Sequence, residues 1–198
     1  MIYLLLVAAG AAGLFFFKKR ETTSGEMLVP TVLRDPESVE HLDQLPDVSP
    51  ENQGGNWTQA YDAAFMNACS LTGIPFALIK AQAIRESNLK PKAKADEGKG
   101  RYSYGLCQVM WWKGSNRLAF AGFPDDRLGD GAILFEPETN ALIGARFILD
   151  NWSRFGNIRD TTNAYNTGVA ESKRIAPNNY VNDVLNNYRK LVGLEPIV

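Results

Sequence analysis

The feature that most limits the fold is the stretch of residues 75–110. There a helix-forming segment ends on Arg85-Glu86-Ser87-Asn88, and a polar loop leads into Tyr104-Gly105-Leu106-Cys107-Gln108-Val109-Met110. Pro75 suits a first helical position, where a missing N–H costs no intrahelical bond. Ile74, Ala77, Leu78, Ala81 and Ile84 recur at helical spacing and make one apolar face. Glu86 lies two residues past Ile84, about 200° around the helix and off the centre of that face. A carboxyl so placed can point from the helix end into a neighbouring cleft. Residues 90–101, rich in Lys, Gly and Asp, are expected to loop back across it. Gly105 suits a backbone that takes a positive φ or lets another molecule approach closely.

Helical periodicity governs the remainder from Trp57 onward. Trp57, Tyr61, Ala64, Phe65, Ala68 and Cys69 share one face, and Gly73 ends that helix. Phe135-Glu136-Pro137-Glu138-Thr139-Asn140 opens another, with Ala141, Ala145, Ile148, Leu149 and Trp152 inward and Gly156 at its end. Ala164-Tyr165-Asn166-Thr167-Gly168 comes next, and a last helix opens at Tyr180 with Val181, Val184, Leu185, Tyr188 and Val192 on one side.

Four of these segments, in this order, resemble the lytic transglycosylase catalytic domain, which shares its fold with goose-type lysozyme. They are the helix ending in Glu86, the Gly105-Leu106-Cys107-Gln108 turn, the Pro137-x-x-Asn140 helix start and Ala164-Tyr165-Asn166-Thr167-Gly168. Tyr180 supplies the aromatic residue that the family carries near the start of the last helix. Cys107 stands where the family usually has Met, Thr167 where it has Ala, and Met110 and Trp111 where Pro or Asn often follows. Tyr102-Ser103-Tyr104-Gly105 is close to the Tyr-Asp-Tyr-Gly version of transglycosylases that serve macromolecular assemblies, with Ser103 at the Asp position.

The resemblance implies a mainly α, lysozyme-like domain over residues 56–198. It also implies cleavage of the β-1,4 bond between N-acetylmuramic acid and N-acetylglucosamine in peptidoglycan glycan strands. Glu86 would act first as acid on the leaving oxygen, then as base on the muramic acid 6-hydroxyl, giving a 1,6-anhydro product without consuming water. Tyr165 and Asn166 would hold the substrate acetamido group, and Gln108 and Ser87 would position sugar or glutamate. Ser103, Tyr104 and Tyr180 complete the expected substrate-binding set, and Tyr102, Trp111 and Trp112 could stack on sugar faces. A free glutamate has a pKa of about 4.3, so a proton donor near neutrality needs its anion destabilised by burial. Ile84, Leu106, Val109 and Trp111 are the expected apolar wall. Asp96, Glu97, Asp125, Asp126 and Asp130 fall in expected loops facing solvent, so no second carboxylate is assigned. A hydrolytic lysozyme is the near alternative. A glycan-binding structural component of a virion or secretion channel, without catalysis, is the distant one.

Composition narrows the chemistry. His41 is the only histidine and lies outside residues 56–198, so Cys-His, Ser-His-Asp and His-bearing zinc sites are unavailable there. Neither a cofactor nor a metal is expected. Cys69 and Cys107 do not make a disulfide framework and read as two apolar thiols, with a single bridge the other possibility. From Trp57 onward, seventeen Lys and Arg face fourteen Asp and Glu. That excess of +3 suits an anionic polymer and is too small for nucleic acid.

The amino-terminal end differs. Residues 2–17 form an apolar or small-residue run followed by Lys18-Lys19-Arg20, read as a membrane anchor over residues 1–20, with a cleaved signal peptide the rival. Basic residues on its carboxyl side favour a cytoplasmic placement of the rest of the chain. Residues 21–55 carry Arg34 against eight Asp and Glu, with Pro30, Pro36, Pro46 and Pro50, and read as an extended acidic linker. An enzyme held at the internal membrane of a membrane-containing bacteriophage would reconcile this topology with a wall substrate. A bacterial inner-membrane anchor is the other reading.

Overall fold

The computed structural model describes residues 41–168 and 179–197, all within one compact unit. The expected anchor at residues 2–17 lies outside them. Among the described residues no helix is long and apolar enough to cross a membrane.

The helices are α1 (Asp62–Thr72), α2 (Phe76–Ser87), the short α3 (Asp125–Leu128), α4 (Pro137–Phe155), α5 (Ile158–Thr167) and α6 (Asn179–Leu191). Helix α2 runs through the middle, buried at every position from Phe76 to Ile84, and packs on α6, α1 and α4. Helix α4 in turn carries α1 and α5. The mainly α expectation is met, and Gly73, Gly156 and Gly168 each end a helix in the left-handed conformation.

Two expectations need correction. Helix α1 begins at Asp62 rather than Trp57: the Thr58 carbonyl, which a helix would give to the Asp62 N–H, accepts from the Lys80 ammonium at 3.0 Å, and the Asp62 N–H bonds the Gln59 carbonyl at 3.1 Å instead. Residues 90–101 are not a plain loop. Strands β1 (Lys94–Gly98), β2 (Arg101–Tyr104) and β3 (Val109–Trp111) form an antiparallel sheet in that order. Four of the five residues of β1 are exposed, so the strand lacks the alternating apolar residues that reveal a half-buried one. Its register with β2 shifts between Asp96 and Gly98, leaving Glu97 as the extra residue of a bulge.

Residues 41–55, within the expected linker, lie against the helices. Leu45 is buried, and Asp47 accepts hydrogen bonds from the N–H groups of Phe76 and Ala77 at 2.9 Å each. Those donors at the start of α2 have no intrahelical partner, so Asp47 caps the helix from a distance. Pro75 is the flanking residue, one position before the expected first helical one. Lys80 is fully buried, and its ammonium donates to Asp62 Oδ1 at 2.6 Å, Gln53 Oε1 at 2.6 Å and the Thr58 carbonyl at 3.0 Å. All three N–H bonds are thereby satisfied, the condition for burying an ammonium. The Tyr188 hydroxyl on α6 donates to the Pro46 carbonyl.

Candidate active site

Glu86 stands in the last turn of α2, which Asn88 closes in the left-handed conformation at φ 51°. Its Oε1 accepts hydrogen bonds from Gln82 Nε2 at 3.1 Å and from the Tyr180 hydroxyl. Gln82 also donates to the Tyr180 oxygen, so the three side chains form one hydrogen-bonded set with Gln82 and Tyr180 buried and Glu86 partly so. Oε2 receives neither of these bonds. Burial raises the Glu86 pKa above the usual carboxylate range, and the negative charge of Glu97 adds to the rise. The Tyr180 and Gln82 donors and the nearby Arg85 act in the opposite sense without cancelling it. Tyr180 is itself pushed well up, by burial first and then by the charge of Glu86.

Glu86 opens onto a cleft of about 170 Å³ lined also by Glu97, Ser103, Gln108, Val109, Met110, Arg117, Phe147, Tyr165 and Asn166. The wall differs from expectation. Val109 lines it, but Ile84 and Leu106 belong to the core and Trp111 opens on another hollow. The apolar surface beside the carboxyl comes instead from Val109, Met110 and the rings of Phe147 and Tyr165.

The turn between β2 and β3 is held from beneath by Asn140, which is fully buried near the start of α4. Its Oδ1 accepts from the Cys107 N–H at 2.7 Å, and its Nδ2 donates to the carbonyls of Tyr104 at 2.8 Å and Leu134 at 2.7 Å. Gly105 has φ 71°, and a Cβ there would lie 2.4 Å from Asn140 Nδ2. Glycine is therefore required both by the left-handed φ, as expected, and by the close approach of Asn140 and the Leu134 carbonyl. Gly144 plays a matching part on α4, because a Cβ there would meet Cys107 Cβ and Sγ at 2.7 Å. Cys107 and Cys69 are both free thiols, with Cys107 buried and Cys69 half-buried.

The expected site residues divide into two groups. Glu86, Ser103, Gln108, Tyr165 and Asn166 meet at the cleft, and Tyr180 stands directly behind Glu86. Ser87 and Tyr104 do not line it. The Ser87 hydroxyl is turned inward and donates to the Leu106 carbonyl at 2.8 Å, tying the end of α2 to the turn. Tyr104 packs among Tyr102, Trp111 and Phe135 and lines a hollow with Lys94, Trp112 and Lys113. Even within the cleft, some polar groups are already engaged. Tyr165 donates its hydroxyl to the Cys107 carbonyl at 2.8 Å, and Gln108 Nε2 donates to the Gly105 carbonyl at 3.0 Å. Gln108 thus keeps its acceptor oxygen for the cleft, and Tyr165 offers chiefly its ring. Glu97 is exposed, as expected, but stands on β1 rather than in a loop; it also lines the cleft and accepts from Ser103 Oγ at 2.7 Å. Gln82, Arg117 and Phe147 carry no motif and were not expected there.

A carboxyl raised by burial, with one oxygen fixed by two donors, can deliver a proton to a leaving oxygen and take one back. The chain is similar to known proteins in sequence and in fold. A sequence model described as the transglycosylase SLT domain matches residues 64–185. The invasion protein IagB of Salmonella typhimurium is 27% identical over 135 residues, 68% of this chain and 81% of that protein. IagB of Salmonella typhi is 26% identical over 132 residues, 67% of this chain and 79% of that one. The crystal structure of the 70 kDa soluble lytic transglycosylase of Escherichia coli superposes with a TM-score of 0.53 at 24% identity. The superposition covers 71% of this chain and 26% of that enzyme, so this chain spans about a quarter of its length. The chain belongs to the transglycosylase SLT domain family, enzymes that act on the glycosidic bonds of peptidoglycan.

Proposed function

We propose that this protein cleaves the β-1,4 bond between N-acetylmuramic acid and N-acetylglucosamine and releases 1,6-anhydromuramyl products. The observation that carries this is Glu86 itself, a carboxyl with a raised pKa at the rim of a polar cleft, held by Tyr180 and Gln82. Protonated Glu86 gives its proton to the glycosidic oxygen as the C1–O4 bond breaks. The resulting carboxylate takes the proton of the muramic acid 6-hydroxyl, whose oxygen closes on C1, so the acid is regenerated and no water enters. Asn166, exposed at the cleft, and the acceptor oxygen of Gln108 are suited to the substrate amide and hydroxyl groups. Purified sacculi treated with the full chain, followed by mass spectrometry of the soluble muropeptides, test this. Anhydro ends absent from a Glu86→Gln control support it. Reducing ends alone would make the protein a lysozyme, and glycan binding without release would make it a structural component.

The likeness to proteins named for invasion supports local opening of a wall rather than its general turnover. We further propose that residues 2–17 anchor the protein in a membrane, at the internal membrane of a phage particle or the inner membrane of a bacterium. What supports the anchor is the apolar run and its flank Lys18-Lys19-Arg20. Protease added to intact spheroplasts expressing the full chain distinguishes the topologies. A domain digested from outside would refute a cytoplasmic placement, and with it the main support for a virion role.

A further inference from the structure

The cleft holds a carboxylate for which the family motifs supply no role. Ala95 pairs with Ser103 across β1 and β2, and the bulge beyond it leaves Glu97 unpaired, on a strand whose preceding residue Asp96 pairs with Tyr102. Glu97 shares the strand face of Ala95, the partner of Ser103, and the Ser103 hydroxyl donates to Glu97 Oε1 at 2.7 Å. Among the described residues no Lys or Arg forms an ion pair with Glu97, although Lys94, Lys99 and Arg101 are its close neighbours in sequence. Arg101 instead reaches backbone carbonyls, those of Glu97 and Gly98. An exposed carboxylate in a substrate cleft, seated by a hydroxyl and without an ion-pair partner among the described residues though Arg117 lines the same cleft, can act on positive charge that develops there.

We infer that Glu97, seated on Ser103, is the second carboxylate of the reaction and stabilises the positive charge that develops at the sugar C1 as the glycosidic bond breaks. The inference rests on the proposed glycosidic cleavage. Glu97 forms no bond to the sugar and gains no proton. Its anion acts across space, while Glu86 carries out both proton transfers. An oxocarbenium-like centre concentrates charge only in the transition state, so a fixed anion beside it lowers the barrier more than it tightens binding.

The titratable and charged groups around Glu86 are Tyr180 from α6, Arg85 from α2, Glu97 from β1, Cys107 from the turn, Tyr165 from α5 and Arg117 in the cleft lining. Of these, Glu97 is a negative charge that raises the Glu86 pKa, which yields a second readout independent of rate. Removing it moves the basic limb of the pH–rate profile to lower pH.

The test uses the full chain on sacculi and four variants, Glu97→Gln, Glu97→Asp, Ser103→Ala and the Glu97→Gln/Ser103→Ala double. Glu97→Gln is expected to lower kcat about tenfold or more with KM within about threefold, and to shift the basic limb downward. Glu97→Asp keeps the charge, holds the limb near its wild-type position and recovers part of kcat. Ser103→Ala has a smaller effect than Glu97→Gln and adds nothing to it in the double variant, because the hydroxyl acts through the carboxylate. Glu97→Gln within about twofold of wild type with an unmoved limb overturns the inference, as does an Asp variant no faster than the Gln variant. A wild-type protein that releases no muropeptide overturns the proposed function itself, and the inference with it.

Discussion

Helix α2 meets a carboxyl with a raised pKa at each end, and the two are put to opposite uses. At its start, Asp47 arrives from outside the helix and spends both oxygens on the N–H groups of Phe76 and Ala77. At its finish, Glu86 has one oxygen held by Tyr180 and Gln82 and the other left to the cleft. Burial raises the pKa of both. A raised pKa therefore does not identify a reactive acid. What separates them is an oxygen with no partner and an opening beside it.

Glu86→Gln should break the comparison most sharply. Loss of a general acid costs about 10²–10⁴ in rate, and this residue would serve as acid and then as base. Muropeptide release falling less than about tenfold would remove Glu86 from the mechanism. The turn beneath it offers the largest effect on stability. Asn140→Ala leaves the buried Cys107 N–H and the Tyr104 and Leu134 carbonyls without that partner, at a cost of about 2–4 kcal/mol. Urea unfolding should show it as a lower midpoint with unchanged slope.

Asp47→Ala is the counterpart of the Glu86 variant. It removes a cap worth about 1–2 kcal/mol, lowering the melting temperature by roughly 2–8 °C, while activity per folded molecule stays within about twofold. A rate loss beyond that would mean the two ends of α2 are coupled. Tyr180→Phe tunes rather than breaks the acid end. The Tyr180 hydroxyl lowers the Glu86 pKa, so its removal lets the proton persist to higher pH and moves the basic limb upward. A limb that moves downward, or stays, would contradict the hydrogen bond.

The smallest effect is thermodynamic. A carboxyl with a raised folded-state pKa contributes its stability below its unfolded pKa and loses it as pH rises through the folded one. Glu86→Gln should thus melt higher than wild type near neutrality, and the gap should close on acidification. Calorimetry at a series of pH values checks the sign.

Much of this was legible in the sequence because it depends on local chemistry. Gly73 and Gly156 end their helices where left-handed caps are needed. Glu86, by contrast, stands out only through the ordered motifs around it, since its place at a helix end would suit any solvated glutamate. What was not legible depends on register and on contacts between distant segments. Glu97 comes to the cleft because β1 pairs with β2 so that Ala95 and Glu97 share the face of Ser103, and β1 itself is too exposed to show an apolar pattern. Ser87 and Tyr104 sit beside motif residues in the chain, yet their side chains are drawn inward by the Leu106 carbonyl and by the Trp111 and Phe135 rings.

The fastening of residues 41–55 has a practical consequence for where the protein can be cut. The family match begins at residue 64, and every cleft residue lies beyond it, which invites trimming the chain just before α1. A protein starting at residue 57 would keep its whole reaction surface. It would lose the Asp47 carboxylate over α2, the Gln53 oxygen on Lys80 and the Pro46 carbonyl under Tyr188. Lys80 would then sit in the interior with one of its three N–H bonds unanswered. A piece that keeps these contacts begins ahead of Leu45, some twenty residues before the family boundary suggests.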